Sequence, residues 1–349
     1  MSTTLPHIGR SHVLCAIGNG SEQAWASARA GIARIGSSHV MDRHFDPIQM
    51  GLVPEDALGP LAGEIEQMPL PSRARRMLRL AAPSLKAVAA DLPEPVMLLL
   101  GAPALTESAA PWLRHVPAYL QKLTGVPIDR ARSVVLPFGR AAALMALERA
   151  LQQLASGEIE TVVVGGVDTF LDLRLLSELD AEQRILGPRV MDGFIPGEGA
   201  AFYVLSSAEE RESEGPRVVV HGAASAMDPG HRYGDEPAKG EGLAAALAQL
   251  RQRLSPPPAP VQTTFAGFNG ENFEAKLWGV ARLRHNDFFT PAMLIEHPAD
   301  KFGDAGAAMG AILVALAAES LRTRTRPGPA LIWAASDREP RGCALLSIT

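Results

Sequence analysis

Cysteine is nearly absent from this chain. Its 349 residues include two, Cys15 and Cys343, too few for a disulfide framework or a thiolate-rich metal cluster. A reducing compartment, the cytoplasm, is the simplest expectation. Aromatic residues are 5%, which leaves few platforms for stacking single-stranded nucleic acid. Positive charge is not in excess: 33 Lys and Arg stand against 38 Asp and Glu, a net charge of -5, and this argues against a general nucleic-acid partner. No run reaches the roughly 18 apolar residues that a membrane span needs. Residues 1–10 lack the basic and then apolar pattern of a secretory signal. What is present is a core-forming composition, 47% hydrophobic and 20% charged, in a length that suits one large domain or two ordinary ones.

Strand-like and helix-like segments alternate, which predicts a mostly parallel sheet with helices outside it. Val13 to Ile17 reads as a strand, followed by Gly18-Asn19-Gly20 and a helix over Glu22 to Ile35 with Ser21 as N-cap. Residues 46–72 are rich in Pro, Gly and polar positions and read as a long surface loop. Ser72 to Leu92 is helical in pattern. Pro95 to Leu100 and Thr161 to Val164 are continuous apolar runs, as in strands buried on both faces. Between them lie a short strand, Val134 to Leu136, and a helix from Gly139 to Ser156 with Leu144, Leu147, Leu151 and Leu154 on one face. Gly165-Gly166 closes the second apolar run. Ala200 to Leu205 is a further strand, and the pattern restarts at Pro216 to His221. The second stretch reads as a helix at Glu241 to Leu254, a strand at Thr263 to Phe268, a helix at Ala305 to Ala318, and strands at Ala330 to Ala335 and Cys343 to Ile348. Ser255 to Pro260 is a proline-rich break. The basic run Arg322 to Arg326 reads as a solvated loop, with a binding role as the other reading. Two halves of similar grammar suggest an internal duplication, without a residue-level repeat.

Three segments together resemble the β-ketoacyl synthases of the thiolase superfamily. They are Gly157-Glu158 with Val162 to Asp168, then Asp192-Gly193-Phe194-Ile195-Pro196-Gly197-Glu198-Gly199-Ala200, and Gly303 to Ala308. The second matches the synthase pattern DGF-x-x-GEGA and is the specific one. The start of the chain, from Cys15 to Ile35, is also similar. The resemblance implies an α/β protein of the thiolase fold, with duplicated halves, residues 1–210 and 211–349, forming a five-layered αβαβα sandwich. It also implies paired subunits, with the strand Val134 to Leu136 at the pairing edge, so a homodimer is expected.

A ketosynthase of this family uses a cysteine thiolate at a helix N-terminus, where the dipole lowers its pKa. Counted back without gaps from Gly157, that position falls on Arg140, and Pro137 to Leu144 contains no Cys, Ser, Thr or Lys. A guanidinium stays protonated and cannot carry an acyl group. The first family histidine falls on Asn269, the second on Asp304, and the family lysine on Ala299. All four positions depart together, so family-type thioester chemistry is not expected, and no catalytic residue is assigned.

The other candidates carry less. Cys15 and Cys343 lie in strands and read as buried apolar residues. His221, His231, Asp228 and Asp235 lack metal-ligand spacing, so neither a metal nor another cofactor is expected. Gly18-Asn19-Gly20 is a poor match to a dinucleotide loop, since Gln23 replaces its third glycine.

A cation at Arg140 opposes the positive end of its helix dipole and calls for compensation. The former catalytic places hold opposite charges, so Arg140 and Asp304 are expected to form a buried ion pair with Glu271 nearby; the other reading has both solvated at a pocket mouth. Phe138 and His297 are expected as further pocket neighbours.

Function is then expected through protein contacts. Two contexts resemble the chain. One is the chain-length-factor type of ketosynthase partner. The other is a group of short thiolase-like proteins encoded beside type VI secretion effectors, which Asn269-Gly270-Glu271 with Trp278 and the segment His297 to Ala308 resemble. An adaptor for a secretion effector is the favoured reading. The chain is shorter than a usual ketosynthase, which suits loss of part of the acyl tunnel. An acyltransferase with a different nucleophile is the competing enzyme reading.

Overall fold

The computed structural model describes residues 5–92, 95–106, 108–207, 216–254 and 258–349. In chain order the first half contains β1 (His7–Cys15), β2 (Gly18–Asn19), α1 (Ser21–Arg29), β3 (Gly36–Met41), β4 (Pro47–Met50), α2 (Glu64–Gln67), α3 (Ser72–Ala89), β5 (Met97–Gly101), α4 (Val116–Thr124), β6 (Val134–Leu136), α5 (Ala142–Ala155), β7 (Thr161–Thr169), α6 (Leu173–Ala181) and β8 (Glu198–Ser206). The second half contains β9 (Val218–Met227), α7 (Glu241–Arg253), β10 (Val261–Ala266), α8 (Asn272–Arg284), β11 (Phe289–Glu296), α9 (Ala299–Phe302), α10 (Met309–Arg322), β12 (Ala330–Ala335) and β13 (Pro340–Ile348).

The strand order is β11-β10-β12-β13-β9-β1-β8-β7-β5-β6. Read outward from the centre, β1-β8-β7-β5-β6 and β9-β13-β12-β10-β11 are the same path. In both, the first two pairings are antiparallel and the last two parallel. The duplicated grammar of the sequence is therefore a duplicated sheet. The expected boundary at 210/211 lies outside the described residues, as does the Ser255 to Pro257 part of the proline-rich break.

Five layers follow from which faces are apolar. Helices α3 and α4 cover the outer face of the first sheet with Met77, Leu78, Leu85 and Leu120. Helices α7 and α8 cover the outer face of the second with Leu243, Leu247, Leu277 and Trp278. Between the sheets run α5 and α10, which contact strands of both halves and each other. In α10 every residue from Met309 to Ala318 is buried, as a helix that is apolar all round must be. This is the thiolase-type αβαβα sandwich.

Several local expectations need correction. Residues 46–72 are not one surface loop. They hold β4, the partner of β3 in a separate hairpin, and their buried Ile48, Met50, Val53 and Ile65 pack inward. Strand β7 does not stop at Gly165-Gly166 but runs to Thr169. The glycines are there because neighbours crowd them: a Cβ on Gly165 would lie 2.3 Å from the Phe202 ring, and one on Gly166 2.7 Å from the Ala307 carbonyl. The basic run is not simply solvated. Arg322 donates to the Ile8 carbonyl at 2.7 Å, and Arg326 pairs with Glu296 and stacks over Trp25.

Candidate functional site: a charged cluster between the halves

Chain geometry at the start of α5 sets the site. Gly139 adopts a φ of 74°, and one three-ten turn, Gly139–Ala141, leads into the helix. This turn aims Arg140 at the second half. Its Nε donates to Asp304 Oδ2 at 2.6 Å, a terminal nitrogen lies 2.5 Å from the same oxygen, and Nη1 lies 3.0 Å from Asp337 Oδ1. Arg140 is 4% exposed and Asp304 1%. The Phe170 and Phe194 rings flank the guanidinium, with centroids at 5.9 and 5.4 Å. Burial opposes the charge on Arg140. Asp304 and Asp337 outweigh it and hold its pKa well above the ordinary arginine value.

Asn269 links the pieces. Its amide nitrogen donates to Asp304 Oδ2 at 3.1 Å and to Glu271 Oε2 at 3.0 Å, and its oxygen accepts from the Glu271 N–H. Glu271 does not complete the Arg140 pair. It takes a two-pronged contact from Arg184, Nε to Oε1 at 2.9 Å and Nη2 to Oε2 at 2.8 Å, and lies 3.0 Å from Arg232. Arg184 also donates to Asp337 at 2.8 Å and to the Tyr233 hydroxyl at 2.8 Å. Burial works against the ionised form of Asp337. The Arg140 and Arg184 guanidiniums overcome that and hold its carboxyl well below the usual range.

The other expected neighbours divide. Phe138 stands at the helix entrance, where its carbonyl accepts from the Ser336 hydroxyl at 2.5 Å. That hydroxyl accepts from the Ala141 N–H at 3.0 Å and so caps α5. His297 does not face the cluster. Its side chain is 52% exposed and lies 3.8 Å from Asp300, because His297-Pro298 forms the outer turn before α9. Both cysteines are buried, and burial pushes the Cys15 thiol up to about 12 and raises that of Cys343, the opposite of an activated thiolate. His221 bonds Ser347, His231 faces Glu339 and Asp228 faces Arg341.

Reading the residues alone missed Arg184, Arg232, Glu274, Ser336 and Asp337. All but Glu274 lie in loops, where no motif or periodicity marks them. Glu274 is in the first turn of α8, where an acidic residue is ordinary and gives no signal. The helix entrance holds the Arg140 guanidinium and the Ser336 hydroxyl, which accepts from the Ala141 N–H and donates to the Phe138 carbonyl.

This architecture is the thiolase fold of the β-ketoacyl synthases. Residues 130–211, which carry β6, α5, β7 and β8, match the family Beta-ketoacyl synthase, N-terminal domain. Among solved structures, the ishigamide ketosynthase/chain length factor aligns with a TM-score of 0.80 at 13% identity, over 99% of both chains. The AntDE:AntF structure, a type II PKS acyl-carrier protein in complex with its ketosynthase bound to the hexaketide, aligns with a TM-score of 0.78 at 16% identity, also over 99% of both. The ketosynthase from module 6 of the bacillaene synthase of Bacillus subtilis gives 0.78 at 12% identity, over 98% of this chain and 71% of the other. No curated protein matches by sequence. Among the described residues no helix is long and apolar enough to cross a membrane.

Proposed function

We propose that this protein is a catalytically degenerate ketosynthase-like protein that works through protein contacts, as an accessory or adaptor for a type VI secretion effector. One observation carries the loss of chemistry. The place of the acyl-accepting thiolate is filled by Arg140, locked at 2.6 Å onto Asp304 in the place of a family histidine. An acyl thioester entering there meets a guanidinium in place of the thiolate and, in place of a histidine, an asparagine amide, which does not shuttle protons. The secretion context rests on the likeness of Asn269 to Glu271, Trp278 and His297 to Ala308 to thiolase-like proteins found beside such effectors.

A second reading, a chain-length-factor-like partner subunit, is favoured by the structural likeness to a ketosynthase/chain length factor. Pairing with another subunit has a place in either reading. Strand β6 is a free sheet edge, flanked by a crevice of about 830 Å³ lined by Leu113, Arg130, Val134 and Val135. We infer that a second thiolase-fold subunit, most simply a second copy, pairs there.

Intact mass after incubation with an acyl thioester tests the central claim. No adduct is expected, and a stable acyl adduct would favour an acyltransferase with repurposed chemistry. Co-expression with a type VI secretion effector, and separately with a catalytic ketosynthase, separates the two contact readings by which one co-purifies.

A further inference from the structure

Beside the Arg140–Asp304 pair lies a carboxyl that the cluster does not use. Glu274, in the first turn of α8, is 3% exposed. Its Oε2 accepts the backbone N–H of Asn269 at 2.7 Å. The charged groups that face it come from four places. Arg140 comes from the turn before α5, Asp304 from the loop before α10, Glu271 from the N-cap of α8 itself, and Arg341 from β13.

Charge counting decides what state Glu274 adopts. The guanidiniums in and around the cluster are Arg140, Arg184, Arg232 and Arg341. Arg140 is held by Asp304 and Asp337, Arg184 by Glu271 and Asp337, and Arg232 by Glu271. Arg341 faces Asp228 at 3.3 Å and donates to the Ser336 and Pro340 carbonyls. Four cations therefore already meet five carboxylates, Asp304, Asp337, Glu271, Asp228 and, 3.9 Å from Arg184, Glu182. Glu274, buried as well, has no cation of its own: Arg140, already held by two carboxylates, attracts it, while Asp304 and Glu271 repel it. Leaving such a charge uncompensated in a dry interior is far more unfavourable than binding a proton.

We propose that Glu274 is carried in the folded protein as a neutral carboxylic acid, and that its ionisation as pH rises loosens the charged clasp between the two halves. Burial, the largest influence on the group, raises its pKa well above the usual glutamate value, in the same direction. This inference is independent of the adaptor reading and of any partner.

The sign of the linkage follows. A glutamate whose folded pKa exceeds its unfolded value of about 4.3 keeps full stability below that value. As pH rises above it, the folding equilibrium constant falls about tenfold per pH unit, until the folded pKa is reached. Glu274→Gln cannot ionise. The ratio of its folding constant to that of the wild type is expected to climb with pH from about pH 5 upward. Denaturant titrations of the full chain at several pH values measure it. A second readout is spectroscopic: the infrared spectrum of the folded wild type is expected to show a protonated-carboxyl carbonyl band that bleaches as pH rises and that Glu274→Gln lacks. A ratio flat with pH overturns the proposal, and so does a wild-type spectrum without such a bleaching band.

Discussion

Helices α5 and α10 occupy equivalent places in the two halves, and the chain enters them alike. Gly139 at φ 74° and Gly306 at φ 54° each begin one three-ten turn that runs into the helix. Each helix start is then capped by a side chain from the opposite half, at the end of the equivalent strand. Ser336, just after β12, accepts from Ala141. Asp168, near the end of β7, accepts from Ala307 at 2.9 Å. Gly306 is obligatory for the second cap, since a Cβ there would lie 2.2 Å from the Asp168 carboxylate. The backbones match but the charges do not. The α10 entrance holds two carboxylates, Asp304 on the Gly306 N–H at 2.8 Å and Asp168, both favourable toward the helix dipole. The α5 entrance holds Arg140, unfavourable toward its dipole, with a neutral hydroxyl as cap. The duplication has kept its shape while one entrance has come to lean on the other for its charge balance.

That dependence is one-sided and can be broken in order of cost. Asp304→Ala should have the largest effect. It strips Arg140 of its closest partner, removes an acceptor from α10 and leaves a cation buried at a helix N-terminus, at a cost of about 3–5 kcal/mol. Arg140→Ala should lose at least ~1 kcal/mol less, because Asp304 keeps the Gly306 N–H and the Asn269 amide. Denaturant unfolding of both variants gives the comparison, and equal losses would show that the entrances are not unequal. The caps come next. Asp168→Ala removes a charged cap and also the 2.8 Å partner of Arg73, and should cost about 3 kcal/mol. Ser336→Ala removes a neutral cap at the other entrance and should cost about 1 kcal/mol. Thermal or denaturant midpoints read both.

The layered fold was legible because buried strands and helices advertise themselves. Met97 to Gly101 and Val162 to Val164 are unbroken apolar runs, and the leucines of α5 keep helical spacing. The hairpin of β3 and β4 was not legible. Gly, Ser, His and Pro dilute its pattern, and it is built by packing Val40, Ile48 and Met50 on Phe170 and Phe194. Of the cluster, Arg140, Asn269 and Asp304 were found because they sit at marked positions of a familiar pattern, and opposite charges there pointed to a pair. Arg184, Arg232 and Asp337 were hidden, since tertiary folding alone brings three loops together. The assignment of Glu271 to Arg140 went astray for the same reason. Without Asp337 in view, Glu271, two residues from Asn269, stood as the further carboxylate.

Asp337 gives the smallest and most discriminating test of how the two entrances share charge. It bridges Arg140 and Arg184, and its side chain is 29% exposed, so water reaches it while Asp304 stays dry. At neutral pH Asp337→Asn leaves Arg140 on Asp304 and Arg184 on Glu271, and the loss should be no more than about 1 kcal/mol. The acid limb separates it from the others. A carboxyl held below its ordinary range by guanidiniums contributes stability that is fully present above its unfolded pKa of about 3.9, and loses it as pH falls through the folded value. The wild type should therefore lose stability as pH drops below about 4, and Asp337→Asn should show a shallower acid slope. Stability curves for the two proteins from acid to neutral pH measure this. If the acid slopes coincide, Asp337 is a bystander at the rim and Asp304 alone balances the first entrance.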